Sequence, residues 1–369
     1  MLIWGLKSQA DFRKKIIKKC NYNSNRVYKK SIIVSLILIY LVIIAGAVVR
    51  MTGSGMGCPD WPKCFGYIIP PTDASELQWK AERSFEKGQV IIVEETLRVA
   101  KTDFTTTDTF NPQNWNGYEK HDYAIFNPWH TWIEYINRLF GALAGIAFLV
   151  MLAAAVFKER NRKRILLSLL AVFMIGFQGW IGATVVYSVL SPIRITIHMV
   201  IALLIVALLI YMLYEASNLK HRFKFSKAFK IGMFVAIILT LIQIVLGTQV
   251  RQHIDEQVDL VGYSAKSLWL ENPEVSFYLH RSFSIVVFLL NAWLFYKNRK
   301  LVLGHKSFNW VVVLISIEIV TGILMYYLDF PFLTQPLHLV IASVLFGIQF
   351  YILLTAFKEN IKPAVAAAH

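Results

Sequence analysis

Eight stretches of the chain stay apolar for the roughly 20 residues a helix needs to cross a bilayer. They cover 31–50, 132–156, 165–187, 194–214, 229–250, 277–296, 308–327 and 335–356. Charged residues are bunched into the segments between them, which is the pattern of spans separated by loops. The pattern predicts an all-α membrane protein with eight transmembrane helices.

The same stretches repeat, four followed by four. Gly46-Ala-Val-Val-Arg50 corresponds to Gly247-Thr-Gln-Val-Arg251 at the end of the first span of each half. Tyr135-Ile-Asn-Arg138 corresponds to Tyr278-Leu-His-Arg281 in the second, and Gln178 with Gly182 to Glu318 with Gly322 in the third. In the fourth, His198-Met-Val-Ile-Ala corresponds to His338-Leu-Val-Ile-Ala. Four matches in the same order predict two pseudo-symmetric four-helix bundles, 31–214 and 229–356, related by an axis along the membrane normal. The halves differ in one long polar segment, 51–131, expected to be a small folded insertion or a mobile lid.

Charge adds a sidedness. The tail 1–30, KERNRKR, KHRFKFSKAFK and YKNRK are strongly basic, whereas 51–131 is mixed, the segment after Arg251 is acidic on balance and LDFPFLT is nearly neutral. The positive-inside rule places the basic set, with the C-terminal tail 357–369, in the cytoplasm. The first apolar run follows a long basic tail and reads as an anchored span of a multi-pass cell-membrane protein, not as a cleaved signal. Composition agrees: 56% of residues are hydrophobic and 17% charged, which excludes an ordinary soluble domain. The net charge of +15 is accounted for by the loops, and no nucleic-acid-binding motif accompanies it.

Candidate chemistry sits near the outer ends of the spans. His198, His280 and His338 are costly in a membrane unless they have a role. His280 and His338, on two spans of one bundle, suit an axial pair on heme iron, with apolar helices as walls. A lone histidine of this kind is more often an interhelical hydrogen-bonding group; equivalent placement in a repeat favours ligation. The N-terminal half keeps His198 but has Asn137 in place of the second imidazole, which leaves any iron there with one strong ligand. His130 or His121 offers a substitute for it. Glu134 lies one turn before Asn137; it either pairs with Arg138 or stands as a carboxylate at a heme edge. Phe277 takes its place in the second half. Arg50, Arg138, Arg251 and Arg281 run against the positive-inside trend, and either snorkel to headgroups or meet heme propionates. Cys58 and Cys64, in Gly-Cys-Pro-Asp-Trp-Pro-Lys-Cys, lie in an oxidising compartment, as a structural staple or a redox-active pair. Cys20 falls in the cytoplasmic tail. Gln178, Gln243 and Glu318, each four residues before a glycine, read as interhelical packing contacts.

With these residues in place the chain resembles the heme A synthase family. The resemblance is most specific over Gly46-Ala-Val-Val-Arg50-Met-Thr-Gly-Ser-Gly-Met-Gly-Cys58-Pro-Asp-Trp-Pro-Lys-Cys64. Glu134-Tyr-Ile-Asn-Arg138, Gln178-Gly-Trp-Ile-Gly-Ala-Thr-Val, His198, His280-Arg281 and His338 support it. It runs through all eight spans and fades over 65–128. The resemblance implies oxidation of the C8 methyl group of heme O to a formyl group, giving heme A for cytochrome oxidase. It also implies a heme b between His280 and His338, substrate heme on His198, a catalytic carboxylate at Glu134 and paired cysteines at Cys58 and Cys64. A heme O synthase, an electron donor and a second copy of the chain are the partners that would follow. Asn137 departs from the family, where a histidine is usual. Two other classes remain for comparison: a membrane b-type cytochrome confined to electron transfer, which needs no Glu134, and a polytopic transporter, which needs no heme.

Overall fold

The computed structural model describes residues 2–217 and 223–357, with side chains from residue 25 onward. The side chains before residue 25, that of Cys20 among them, and the segments 218–222 and 358–369 lie outside that description. Eight helices among the described residues are long and apolar enough to cross a membrane. They are α1 (Leu2–Met51), α2 (Pro128–Ala154), α3 (Arg162–Tyr187), α4 (Pro192–Ala216), α5 (Lys227–Val261), α6 (Val275–Lys300), α7 (Phe308–Tyr327) and α8 (Thr334–Ala356).

Local chemistry explains where three of them start. Asn127 caps α2 through its side-chain oxygen, which accepts from the backbone N–H groups of Trp129 and His130, and Pro128 opens the first turn. Asn161 and Ser226 cap α3 and α5 in the same way. Two helices exceed the lengths expected from hydropathy. α1 is helical well before its apolar span, which runs Asn25–Met51. α5 continues past Arg251 to Val261, where an acidic loop was expected. That extension contains neither Gly nor Pro and is supported by the i,i+4 pairs Arg251–Asp255 and Gln252–Glu256. It stops at Gly262, whose φ of 86° ends the helical path.

Each half closes on itself as a ring of four helices: α1 with α2, α3 and α4 in succession, then α5 with α6, α7 and α8. The rings join along α1, α4, α5 and α8. Gly347 lets α8 approach its neighbours, because a Cβ there would lie 3.1 Å from Ile210 Cδ1 and press on Tyr40. Thr196 and Thr248 share a hydrogen bond of 2.9 Å across α4 and α5.

The two apolar cores lie toward the ends assigned to the cytoplasm. One gathers Tyr28, Ile32, Phe148, Met151, Ala171 and Met212; the other gathers Phe229, Met233, Leu294, Phe308, Val311 and Phe346. The opposite ends are less filled. On α2, Glu134, Asn137, Gly141, Ala144 and Phe148 follow one another at helical spacing along one face. Ala144 and Phe148 are fully buried, while a Cβ on Gly141 would meet nothing within 4 Å. The face is packed at Ala144 and Phe148 and leaves space at Gly141.

The long polar segment is the folded insertion, not an unstructured lid. β2 (Val90–Val93), β3 (Thr96–Ala100) and β5 (Trp115–Gly117) form an antiparallel sheet with Val90 opposite Val99 and Arg98 opposite Gly117. β1 (Ser84–Phe85) pairs with β4 (Phe104–Thr105). Two small apolar clusters hold it, one around Cys58, Cys64 and Phe65 and one around Phe85, Ile91 and Trp115.

Candidate functional site

In the C-terminal ring, α6 and α8 bring His280 and His338 together edge-on, with ring centroids 6.4 Å apart and planes at 68°. Two metal–nitrogen bonds of about 2 Å and about 1 Å from each nitrogen to its ring centre span about 6 Å, so one iron atom fits between them. Both rings rest on glycine. A Cβ at Gly247 would stand 3.1 Å from His280 Cε1, and one at Gly322 would stand 3.9 Å from His338 Cε1. His338 Nδ1 lies 2.9 Å from a Glu318 carboxylate oxygen and 2.8 Å from the Thr321 hydroxyl. That engagement orients the ring and leaves Nε2 for a metal, the arrangement common around metal-binding histidines. His280 is held by its backbone, whose carbonyl accepts from Gln243 Nε2 at 3.0 Å, while its Nδ1 is buried without a partner.

The N-terminal ring reproduces the cradle. Gly182 faces His198 Cε1 at 3.4 Å and Gly46 faces the Asn137 side-chain oxygen at 3.8 Å. Gln178 Nε2 donates to the His198 carbonyl at 2.9 Å, as Gln243 does for His280. His198 Nδ1 is buried without a partner. Glu134 is buried beside Asn137 and accepts from Arg138 Nε at 2.9 Å. In the second cradle that place belongs to buried Phe277.

Arg138 does more than pair with Glu134. Its terminal nitrogens donate to the carbonyls of Asp60 at 2.6 Å, Lys63 at 2.9 Å and Cys58 at 2.7 Å. The cysteine loop is therefore clamped over the carboxylate. Cys58 and Cys64 are joined in a disulfide and both are buried. Thr131 reinforces the clamp by donating to the Gly57 carbonyl at 2.7 Å. Gly57 is required here, since a side chain would run into the His130 backbone. Asp60 closes the loop by accepting from the Phe65 and Gly66 N–H groups at 2.5 and 2.7 Å. Burial pushes its carboxyl above the ordinary range, against the pull of those N–H groups and of Arg138.

The other arginines part ways. Arg50 and Arg251 share Asp255, at 2.9 and 2.7 Å, and Arg251 also reaches the Arg50 carbonyl at 2.9 Å and Gln335 at 2.7 Å. These contacts tie the two rings together at their outer ends. Arg281 is exposed. Of the substitute ligands considered for Asn137, His121 binds the Pro59 carbonyl at 2.8 Å within the insertion. His130 stands two turns from Asn137 on the same helix.

Three residues gain a place that the sequence reading did not give them. Glu318 was expected to serve packing alone and instead contacts His338. Its replacement of Gln178 at the repeat position was the available signal. Asp255 was assigned to a loop, although its spacing from Arg251 suits a helical ion pair. Asp60 carried no signal. Gln178 and Gln243 do bond across helices as expected.

The fold and these cradles define a multi-pass membrane protein with two imidazole-bearing cradles, one of them a histidine pair. The chain belongs to the cytochrome oxidase assembly protein family COX15-CtaA, whose profile matches residues 29–108 and 113–350. Among curated relatives it is 23% identical over 353 residues to heme A synthase of Wolbachia pipientis wMel, covering 89% of this chain and 92% of that protein. It is 27% identical over 357 residues to heme A synthase of Bartonella tribocorum, covering 89% and 91%. The heme A synthase of Flavobacterium johnsoniae is 23% identical over 358 residues, covering 88% and 97%.

Proposed function

We propose that this chain is a membrane oxidoreductase that converts heme O to heme A by oxidising the C8 methyl group to a formyl group. The observation that carries the reading is the asymmetry between two otherwise equivalent cradles. One has two imidazoles; the other has one imidazole, an amide and a buried carboxylate. An electron-relaying site and a reaction site call for that division.

In this reading His280 and His338 ligate a heme b, which when bound supplies electron transfer, and Glu318 and Thr321 set the orientation of His338. The N-terminal cradle takes heme O as substrate on His198, with Asn137 beside it. Glu134 accepts protons or stabilises developing positive charge in a site shielded from water. Arg138 acts by holding Glu134 and the cysteine loop. Arg50, Arg251 and Arg281 supply cationic partners for propionates. Two successive hydroxylations of the methyl group, each a two-electron oxidation that consumes an external oxidant, give a geminal diol that loses water to leave the formyl group. The disulfide serves as a staple for the loop over Glu134. The protein lies in the cell membrane with both termini in the cytoplasm. It works with a heme O synthase and an electron donor, and self-association is part of the same reading.

The test is heme extraction and chromatography from a host that makes heme O but not heme A, with this chain or its Glu134→Gln variant. Heme A appears with the parent chain and falls at least about 100-fold with the variant. Bound heme b with heme O unconverted, given a competent donor, would replace this reading with that of an electron carrier. A purified protein without any heme would leave the transporter.

A further inference from the structure

The extension of α5 beyond Arg251 carries a histidine that neither cradle uses. His253 is 6% exposed, and neither of its ring nitrogens has a hydrogen-bond partner. Buried polar groups ordinarily find one, because leaving them unpaired costs stability. The ring is aimed at carboxylates: Nδ1 lies 3.7 Å from Glu274 Oε1. Glu256 follows His253 by one helical turn, and Gln252 Nε2 donates to its carboxylate at 3.0 Å. Ligand atoms of His253, Glu256 and Glu274 all fall within 4.8 Å of one another. Exposed acidic pairs are common by themselves. The unpartnered buried imidazole between them is what marks this one.

We propose that His253, Glu256 and Glu274 form a binding site for a divalent first-row metal ion. One imidazole and two carboxylates are a borderline donor set that suits Zn²⁺, Mn²⁺ or Fe²⁺, with the remaining positions taken by water. Donor atoms on opposite sides of such an ion stand about 3–4 Å apart, given bonds of about 2 Å. Glu274 stands at the N-cap position of α6, which carries His280, and His253 lies two residues beyond Arg251. The ion therefore joins the outer end of α5 to the start of α6 and braces the C-terminal cradle from outside. This site is independent of which reaction the chain performs.

Zn²⁺ is the probe. The full chain, purified in detergent with its heme and stripped with a chelator, is dialysed against buffered micromolar Zn²⁺, and bound zinc is measured by mass spectrometry. The parent protein holds one more equivalent of zinc than His253→Gln. Glu256→Gln and Glu274→Gln alter exposed carboxylates without threatening the fold, and each weakens uptake by about tenfold or more. Zinc also raises the melting temperature of the parent and not of Glu274→Gln, through binding linkage. Equal zinc content in the parent and the two glutamine variants, with unchanged Soret absorbance, would overturn the proposal even if His253→Gln failed to fold.

Discussion

The N-terminal and C-terminal cradles share a framework: glycines at 46 and 247, glycines at 182 and 322, and histidines at 198 and 338 on the same relative helices. They part at several pairs of residues, three of which carry candidate chemistry. Asn137 stands against His280, Glu134 against Phe277 and Gln178 against Glu318. In the C-terminal cradle the carboxylate supports a histidine; in the N-terminal cradle it faces the site and is held by Arg138. A carboxylate behind an imidazole makes it a firmer ligand, whereas a carboxylate beside an open position serves proton or charge transfer.

The widest gap between the cradles should be in heme retention. On the proposed assignment, His338→Ala should remove most of the heme that purifies with the protein, and His198→Ala should leave it in place. Soret absorbance and pyridine hemochrome content per chain measure both, and the opposite outcome would exchange the two assignments. Arg138→Gln comes next. It strips a buried carboxylate of its partner and frees three loop carbonyls, at a cost of about 3–5 kcal/mol. Thermal melting should show the loss, and adding Glu134→Gln should recover part of it.

Asn137→His erases the asymmetry most directly. With an imidazole opposite His198, the N-terminal cradle retains a second heme through purification while heme A output falls severalfold. Unchanged heme content would mean that the amide is not what separates the cradles. The smallest effect belongs to the clamp. The Asp60 carboxyl is raised in the fold, so its favourable contribution is complete when it is protonated and is lost as pH rises through that raised value. Asp60→Asn removes the titrating carboxyl, so stability falls less with rising pH in the variant than in the parent, although the amide keeps only one of the two oxygens that accept from Phe65 and Gly66. Melting curves at pH 5 and pH 7 distinguish this from a variant that merely loses the Phe65 and Gly66 contacts, which would be weakened at both.

Much of this was legible in the residues alone. The eight spans follow from local composition, because a segment in hydrocarbon must satisfy its own backbone hydrogen bonds and about 20 apolar residues do so only as helix. The doubling of the chain, the outer placement of His198, His280 and His338, and the loss of an imidazole at Asn137 are ordered patterns that need no coordinates. The strands between residues 84 and 117 were not legible: they are short, and their pairing is non-local.

The sequence by itself therefore determined the class, the repeat and which residue types stand at the outer ends. Only the tertiary structure decided how they engage one another. Arg138 chooses loop carbonyls up to 80 positions away, Asp255 joins Arg50 across 205 positions, and Thr321 and Glu318 settle on Nδ1 of His338. Hydropathy is a sum over neighbours in the chain, whereas a guanidinium or an imidazole takes whichever acceptors the packed helices bring within about 3 Å, and that depends on helix rotation and approach.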